Sequence, residues 1–150
     1  AYENLIFGYQ DQSPFSKSSI LKQSDIINHS KNIMKEYDVR PQSPSLKTSN
    51  FSGGNQQKLI LSRELNENPK ILLVGQPTRG VDIGAIEFIH QRLIDMRDKG
   101  AAILLVSVEL EEVLSLSDRI VVMFDGNIVG EKINKAVTAR ELGLLMAGVV

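Results

Sequence analysis

The chain has 150 residues, 42% apolar and 23% charged, so it can bury a core and is not a wholly disordered segment. Its 17 lysines and arginines nearly cancel its 18 aspartates and glutamates, and a formal charge of −1 offers no chain-wide field to draw nucleic acid or an anionic membrane. The absence of cysteine excludes disulfides, thiolate metal sites and cysteine nucleophiles, and fits an intracellular compartment.

Composition changes near residue 50: nine of the fourteen serines and three of the five prolines precede it, and the long apolar runs follow it. The first region is expected to hold a small helical unit. Residues 25 to 37, capped by Ser24, place Ile26, Ile27, Ile33, Met34 and Tyr37 on one broad apolar face. Residues 11 to 19 and 40 to 49, rich in Ser, Pro, Gln and Lys, read as exposed loops. Beyond residue 50, helical patterns over 54–65, 83–99 and 109–115 alternate with β-rich runs at 71–74 and 101–106. This alternation predicts an α/β fold whose strands run mostly parallel with crossover helices. Ile86, Ile89, Leu93 and Met96 form a helical stripe expected to pack on the sheet, with Gly100 as its stop. Asp125 and Gly126 suit a tight hairpin between 120–124 and 127–129, and Thr138 with Glu141 has capping-box spacing for a last helix through Leu142, Leu145 and Met146.

Several features read blandly. His29 and His90, the only histidines, lie far apart on amphipathic helices as surface or boundary residues, and Glu109, Glu111 and Glu112 complement the start of a helix rather than hold a metal. The longest apolar run, residues 101 to 106, has six members against the roughly 18 to 20 of a membrane span.

The most informative stretch is Phe51-Ser52-Gly53-Gly54-Asn55-Gln56-Gln57-Lys58, which closes a loop and opens a helix. Unpaired N–H groups, the positive end of the helix dipole and glycines that admit close approach suit a phosphate, and Ser52 adds a hydroxyl donor. A serine N-cap explains the same letters, and under that reading replacing Gly54 should cost the fold little. Seventeen residues beyond Gly54 begins the apolar run Ile71-Leu72-Leu73-Val74, expected to be buried, followed by Gly75-Gln76-Pro77-Thr78-Arg79-Gly80-Val81-Asp82.

With both stretches at this spacing, the chain resembles the ATP-binding subunits of ABC transporters. The first looks like the family's signature motif, the run at Ile71 like its Walker B strand, and Arg79, Gly80, Val81 and Asp82 like its D-loop. Phe51 and Asn55 depart from the commonest signature letters. Asn55 with the following Gln-Gln-Lys, and Pro77 to Asp82 downstream, look most like the second copy of the fused two-copy ATPases that serve simple-sugar and nucleoside importers. The resemblance implies that residues 1 to 50 belong to the helical subdomain and 51 to 150 to the signature helix and the C-terminal part of the ATPase core. It also implies ATP and Mg2+ as cofactors of the complete transporter. The implied partners are the first ATP-binding half, transmembrane permease subunits and, indirectly, an extracytoplasmic solute-binding protein. Nucleic acid is not among them, and the implied location is cytoplasmic, at the inner face of the membrane.

No glycine is followed by lysine, so a Gly-x-x-x-x-Gly-Lys phosphate loop cannot be written in this sequence, and the chain is expected to begin inside the domain. In an open parallel sheet, ligands sit beyond the carboxyl ends of strands, where Gly75, Gln76, Ser107 and Val108 fall, and none of the four titrates. By resemblance Gly75 stands for the magnesium-linked aspartate, Gln76 for the glutamate that polarises water and Val108 for the switch histidine. This half's own site is therefore expected to be catalytically degenerate, and the chain alone neither to hydrolyse ATP nor to bind it tightly. Ser52, Gly53, Gly54, Asn55 and Gln56 are expected to serve a nucleotide held by the other half. Asp82 reads equally as an N-cap or a D-loop contact, and Arg79 as a solvated loop residue rather than an arginine finger. Two alternatives stand beside this reading: a non-catalytic interaction domain, and a non-transport ABC-type ATPase.

Overall fold

The computed structural model describes residues 1–149 and is mixed α/β. Two compact units divide it, residues 1–71 with 78–102 and residues 72–77 with the chain from 103 onward. The change of composition at residue 50 thus falls inside the first unit.

That first unit contains α1 (Tyr2–Leu5), a small ribbon of β1 (Ser16–Lys17) and β2 (Ile20–Leu21), α2 (Gln23–Glu36), α3 (Gly53–Asn66) and α4 (Ile83–Asp98). The ribbon corrects the expected loop at 11–19: Ser18 and Ser19 both take positive φ, making a tight turn without the glycine or asparagine that would have announced it. It also moves the start of α2. The Lys22 N–H donates to the Phe15 carbonyl and the Ile26 N–H to that of Lys22, so Lys22 is the N-cap and Ser24 lies within the first turn instead of capping it. The helix ends one residue earlier than expected, with Tyr37 at its C-cap.

Helix α3 packs on α1, α2 and α4, and its Leu59 is wholly buried. The stripe of α4 is as read, with Ile89, Leu93 and Met96 buried, and within this unit α4 packs on α3. Gly100 ends the helix with φ +96°, a conformation that glycine adopts without penalty.

The second unit is built on β3 (Ile71–Gly75) and β4 (Ala102–Val106), each without its first residue, and on α5 (Leu110–Leu116), β5 (Arg119–Phe124), β6 (Asn127–Ile133) and α6 (Ala139–Met146). Strands β3 and β4 run parallel, since the Ala102 N–H donates to the Lys70 carbonyl at one end and the Gln76 N–H to that of Val106 at the other. Strands β5 and β6 form the expected antiparallel hairpin about Asp125 and Gly126, both at positive φ. Ile120, Val122 and Leu142 form its core with Leu110, Val113, Leu114 and Leu145 around them. The capping box closes as read: Glu141 N–H donates to Thr138 Oγ1 at 3.2 Å and Thr138 N–H to Glu141 Oε2 at 2.8 Å.

One expectation for β3 fails. Leu72 is buried, but Ile71 and Leu73 on the other face are 70% and 73% exposed, and Leu104 and Val106 of β4 are open as well. A continuous apolar run reads as a strand covered on both faces, and here only one is covered. Among the described residues no helix is long and apolar enough to cross a membrane.

Candidate functional site

The start of α3 is organised by Ser52, whose extended backbone makes it the N-cap. Its Oγ accepts the Asn55 N–H at 3.4 Å and the Asn55 side-chain Nδ2–H at 2.9 Å. Phe51 is buried and anchors the segment, while the Gln56 side chain donates to its carbonyl at 2.8 Å. Ser52 and Gly53 are exposed, and the N–H groups of Gly53 and Gly54 stand at the helix start, where no intrahelical carbonyl reaches them.

The two glycines are there because the turn before α4 lies against them. A Cβ on Gly53 would stand 3.3 Å from the Gly80 carbonyl oxygen, and one on Gly54 would stand 3.0 Å from Ala85 Cβ and 3.1 Å from Asp82 Oδ2. Gly54 is buried, and a Cβ there could be taken only if the start of α4 gave way by a few tenths of an ångström, which sets a packing cost against the expectation that its replacement costs little. The turn itself is closed by Gly80 at φ +73° and by the Val81 N–H to the Thr78 carbonyl at 3.3 Å, with Arg79 exposed at its tip. Asp82 Oδ1 accepts the Ala85 N–H at 2.9 Å and caps α4. The structure thus brings residues 52 to 56 and 80 to 82 together within one unit. Ser52 and Asp82 are both genuine caps, and a cap spends acceptor capacity only.

The charged residues Asp38, Arg40 and Lys58, which lie behind this segment, were not singled out from the sequence. The Arg40 N–H donates to Asn55 Oδ1 at 2.7 Å, and the Arg40 side chain donates to Asp38 Oδ1 at 2.8 Å. Lys58 Nζ reaches the Asp38 carbonyl at 3.1 Å and its Oδ2 at 3.5 Å. The Arg40 hydrogen bond, more than any other influence, holds the Asp38 carboxyl below its ordinary range. From α4, Arg92 donates to the Glu36 carbonyl at 2.8 Å and lies 4.7 Å over the Tyr37 ring. Arg92 therefore meets the last carbonyl of α2, where the dipole is negative, and Lys58 meets a carbonyl just past its end. A cavity of about 310 Å³ opens among Asp38, Arg40, Asn55, Lys58, Asp82 and Gly84. Only a charge pattern inside a loop, Asp38 and Arg40 around one valine, hinted at this arrangement.

In the second unit the carboxyl ends of β3 and β4 are set side by side, as read. Gln76 holds φ +51° while its N–H bonds the Val106 carbonyl at 2.8 Å, and Val108 is 62% exposed. An added Cβ at Gly75 would meet nothing within 4 Å, so packing does not require glycine there. Ser107 Oγ accepts the Glu109 N–H at 3.0 Å. Glu109 is the N-cap of α5 without a side-chain bond, Glu111 and Glu112 follow in its first turn, and Glu112 is buried. Among the described residues no three His, Asp or Glu side chains gather as a metal site would require. His90 is half-buried; His29 is also half-buried, its ring 4.8 Å from that of Phe15, and burial lowers its pKa.

No family model matches the chain. Over 146 residues it is 47% identical to the nucleoside import ATP-binding protein NupA of Lactococcus lactis subsp. cremoris, covering 97% of this chain and 29% of that protein. It is 45% identical, at the same coverage, to the guanosine import ATP-binding protein NupO of Bacillus subtilis. To the ribose import ATP-binding protein RbsA of Oceanobacillus iheyensis it is 34% identical, covering 93% of this chain and 28% of that protein. The chain therefore spans under a third of the length of these relatives. A solved ATP-binding cassette of an ABC transporter superposes with a TM-score of 0.70 at 26% identity, covering 99% of this chain and 60% of that one. An ATP-binding subunit of another ABC transporter shares the fold with a TM-score of 0.73 at 18% identity, covering 97% and 61%.

Proposed function

The chain belongs to the ATP-binding proteins of ABC transporters, and from that premise we propose that it supplies the signature segment to a nucleotide held by a partner ATP-binding half. Its own site is catalytically degenerate. The parent protein then serves uptake of a simple sugar or nucleoside, as the names of its relatives indicate for them. It would work at the cytoplasmic face of the membrane with permease subunits and, through them, a solute-binding protein. Residues 1 to 50 belong on this view to the helical subdomain, and the chain corresponds to the later part of the second half.

One observation carries the reading: the donors are kept and the acids are not. Ser52 is exposed and Gly53 and Gly54 offer N–H groups, packed on an intact turn at residues 80 to 82. At the ends of β3 and β4, Gly75 offers no side chain, Gln76 can orient a water but not take its proton, and Val108 can do neither. These residues do not fit a magnesium ion, since no carboxylate stands there to hold one. For the partner's ATP the fit is better. A hydroxyl and helix-start N–H groups stabilise phosphate charge by fixed dipoles that need no proton transfer.

The interaction-domain reading draws support from the Ser52 cap, so the test must separate capping from donation. In the complete two-copy ATPase, Ser52→Ala is expected to lower ATP hydrolysis and solute uptake about tenfold to a hundredfold at equal folded protein. Gln76→Ala should leave both within about twofold, because no proton transfer depends on it. Melting temperatures control for the lost cap, which alone costs about 1 kcal/mol. Unchanged hydrolysis in a folded Ser52→Ala protein would overturn the proposal in favour of the interaction domain.

A further inference from the structure

A serine hydroxyl has one proton to give and two lone pairs to receive with. At Ser52 two donors converge on the oxygen, the backbone N–H of Asn55 at 3.4 Å and its side-chain Nδ2–H at 2.9 Å. With the acceptor capacity engaged, the proton is left for an outward acceptor. The Asn55 amide can face only one way, because the Arg40 N–H at 2.7 Å must be met by the oxygen and so turns Nδ2 toward Ser52. Arg40 is itself fixed through Asp38, whose carboxylate takes the Arg40 side chain at 2.8 Å and whose carbonyl takes Lys58 Nζ at 3.1 Å. Lys58 returns the chain of contacts to α3, one turn beyond Asn55.

We infer that Asn55 is a positioning residue that commits the Ser52 hydroxyl to donation toward the phosphate of a nucleotide bound by the partner half. The inference rests on the trans-signature reading and adds to it how the donor is oriented. Without the side-chain amide, only the long backbone bond from Asn55 remains on the oxygen, a second lone pair is open, and the proton of this exposed serine has more than one orientation and is shared with water. A carboxylate at the same position would do worse, since it accepts from Ser52 and turns the proton inward.

A double-mutant cycle in the complete ATPase tests this. Asn55→Ala is expected to lower kcat about tenfold with little change in KM for ATP, because the contact it supports matters most where charge develops. In a Ser52→Ala background the same change should alter kcat by less than about twofold, since there is no hydroxyl left to orient. Asn55→Asp should lie below Asn55→Ala, and Asn55→Gln, which keeps both the donor and the acceptor, should restore most of the rate. Circular dichroism and melting temperature confirm that the compared proteins are folded. Wild-type kcat in Asn55→Ala beside an impaired Ser52→Ala would overturn the positioning role and leave the trans-signature reading standing. A further tenfold loss on the Ser52→Ala background would overturn it too, by making Asn55 act independently. An active Ser52→Ala protein would instead remove the reading on which the inference rests.

Discussion

The two units of the chain handle polar side chains in opposite ways. In the first, the end of α2 and the residues just after it, the start of α3 and the middle of α4 are tied by named bonds: Arg92 to Glu36, Lys58 to Asp38, Arg40 to Asn55, Asn55 to Ser52. In the second, the strand ends bear Gly75, Gln76 and Val108, and the outer face of β3 and β4 exposes Leu73, Leu104 and Val106. The frame at these strand ends does not depend on which side chains they carry, because β3 and β4 are held by backbone bonds that any side chain permits. Donor geometry has no such backbone guarantee and needs specific side chains to fix it.

The contrast can be broken most directly through stability. Leu59, 0% exposed at the centre of α3, should cost about 2–5 kcal/mol of unfolding free energy when changed to alanine, through lost transfer energy and a cavity. Leu73→Ala, on the open face of β3, should change it by less than about 0.5 kcal/mol. Denaturant unfolding of this chain measures both. Equal costs would mean that the exposed face is covered and the contrast between the units is false.

A smaller effect sharpens the same comparison at two glycines. Gly54→Ala should destabilise by about 1–3 kcal/mol, because its Cβ would stand 3.0 Å from that of Ala85 and the start of α4 would have to move. Gly75→Ala, with nothing within 4 Å, should be close to neutral. Similar melting temperatures for the two variants would contradict the packing of α3 on the turn at residues 80 to 82.

Those glycines also show what was legible in the sequence. Apolar spacing and cap letters placed α3, α4, α6 and the β5–β6 hairpin to within a residue or two at most ends, because local chemistry decides them. The ribbon at β1 and β2 escaped notice because its turn is made by Ser18 and Ser19, and the start of α2 moved with it. The exposed face of β3 was unreadable because an apolar run states what a strand can bury and not whether a covering layer lies within the chain. At the site, residues 52 to 56 and 79 to 82 stood out by their letters, whereas Asp38, Arg40 and Lys58 act through contacts between loop and helix that spacing does not encode. The close approach behind Gly54 was hidden for the same reason.

The pH dependence of the first unit should be modest and of fixed sign. Burial lowers the pKa of His29 from its ordinary 6.5 in the folded chain, so the unfolded chain takes up the proton first as pH falls. Stability contributed by neutral His29 is therefore present above pH 6.5 and is lost progressively as pH falls toward the lowered folded value. Urea titrations between pH 7.5 and 5 should show a loss that His29→Gln flattens. A slope unchanged by that substitution would assign the pH dependence to other groups.

The smallest expected effect bears on whether the second unit is degenerate or merely one residue from working. Gln76→Glu is nearly isosteric, and the residue is held by its backbone, through the N–H to Val106 and a φ of +51° that Glu would inherit unchanged. The substitution should leave the fold intact and place one carboxylate at the end of β3. A lone carboxylate there still lacks a neighbouring acid at Gly75 and a titrating ring at Val108, and general-base catalysis contributes only where the reacting groups around it are also held. With the first half's catalytic glutamate disabled in the complete ATPase, Gln76→Glu should therefore raise hydrolysis by less than about twofold. Adding Gly75→Asp, whose Cβ would meet nothing within 4 Å, is the sharper attempt at repair, and it still leaves Val108 in place. If the single change yielded a second working site, the loss of function would reside in one atom of Gln76, and the division between a donor unit and a bare one would no longer describe this chain.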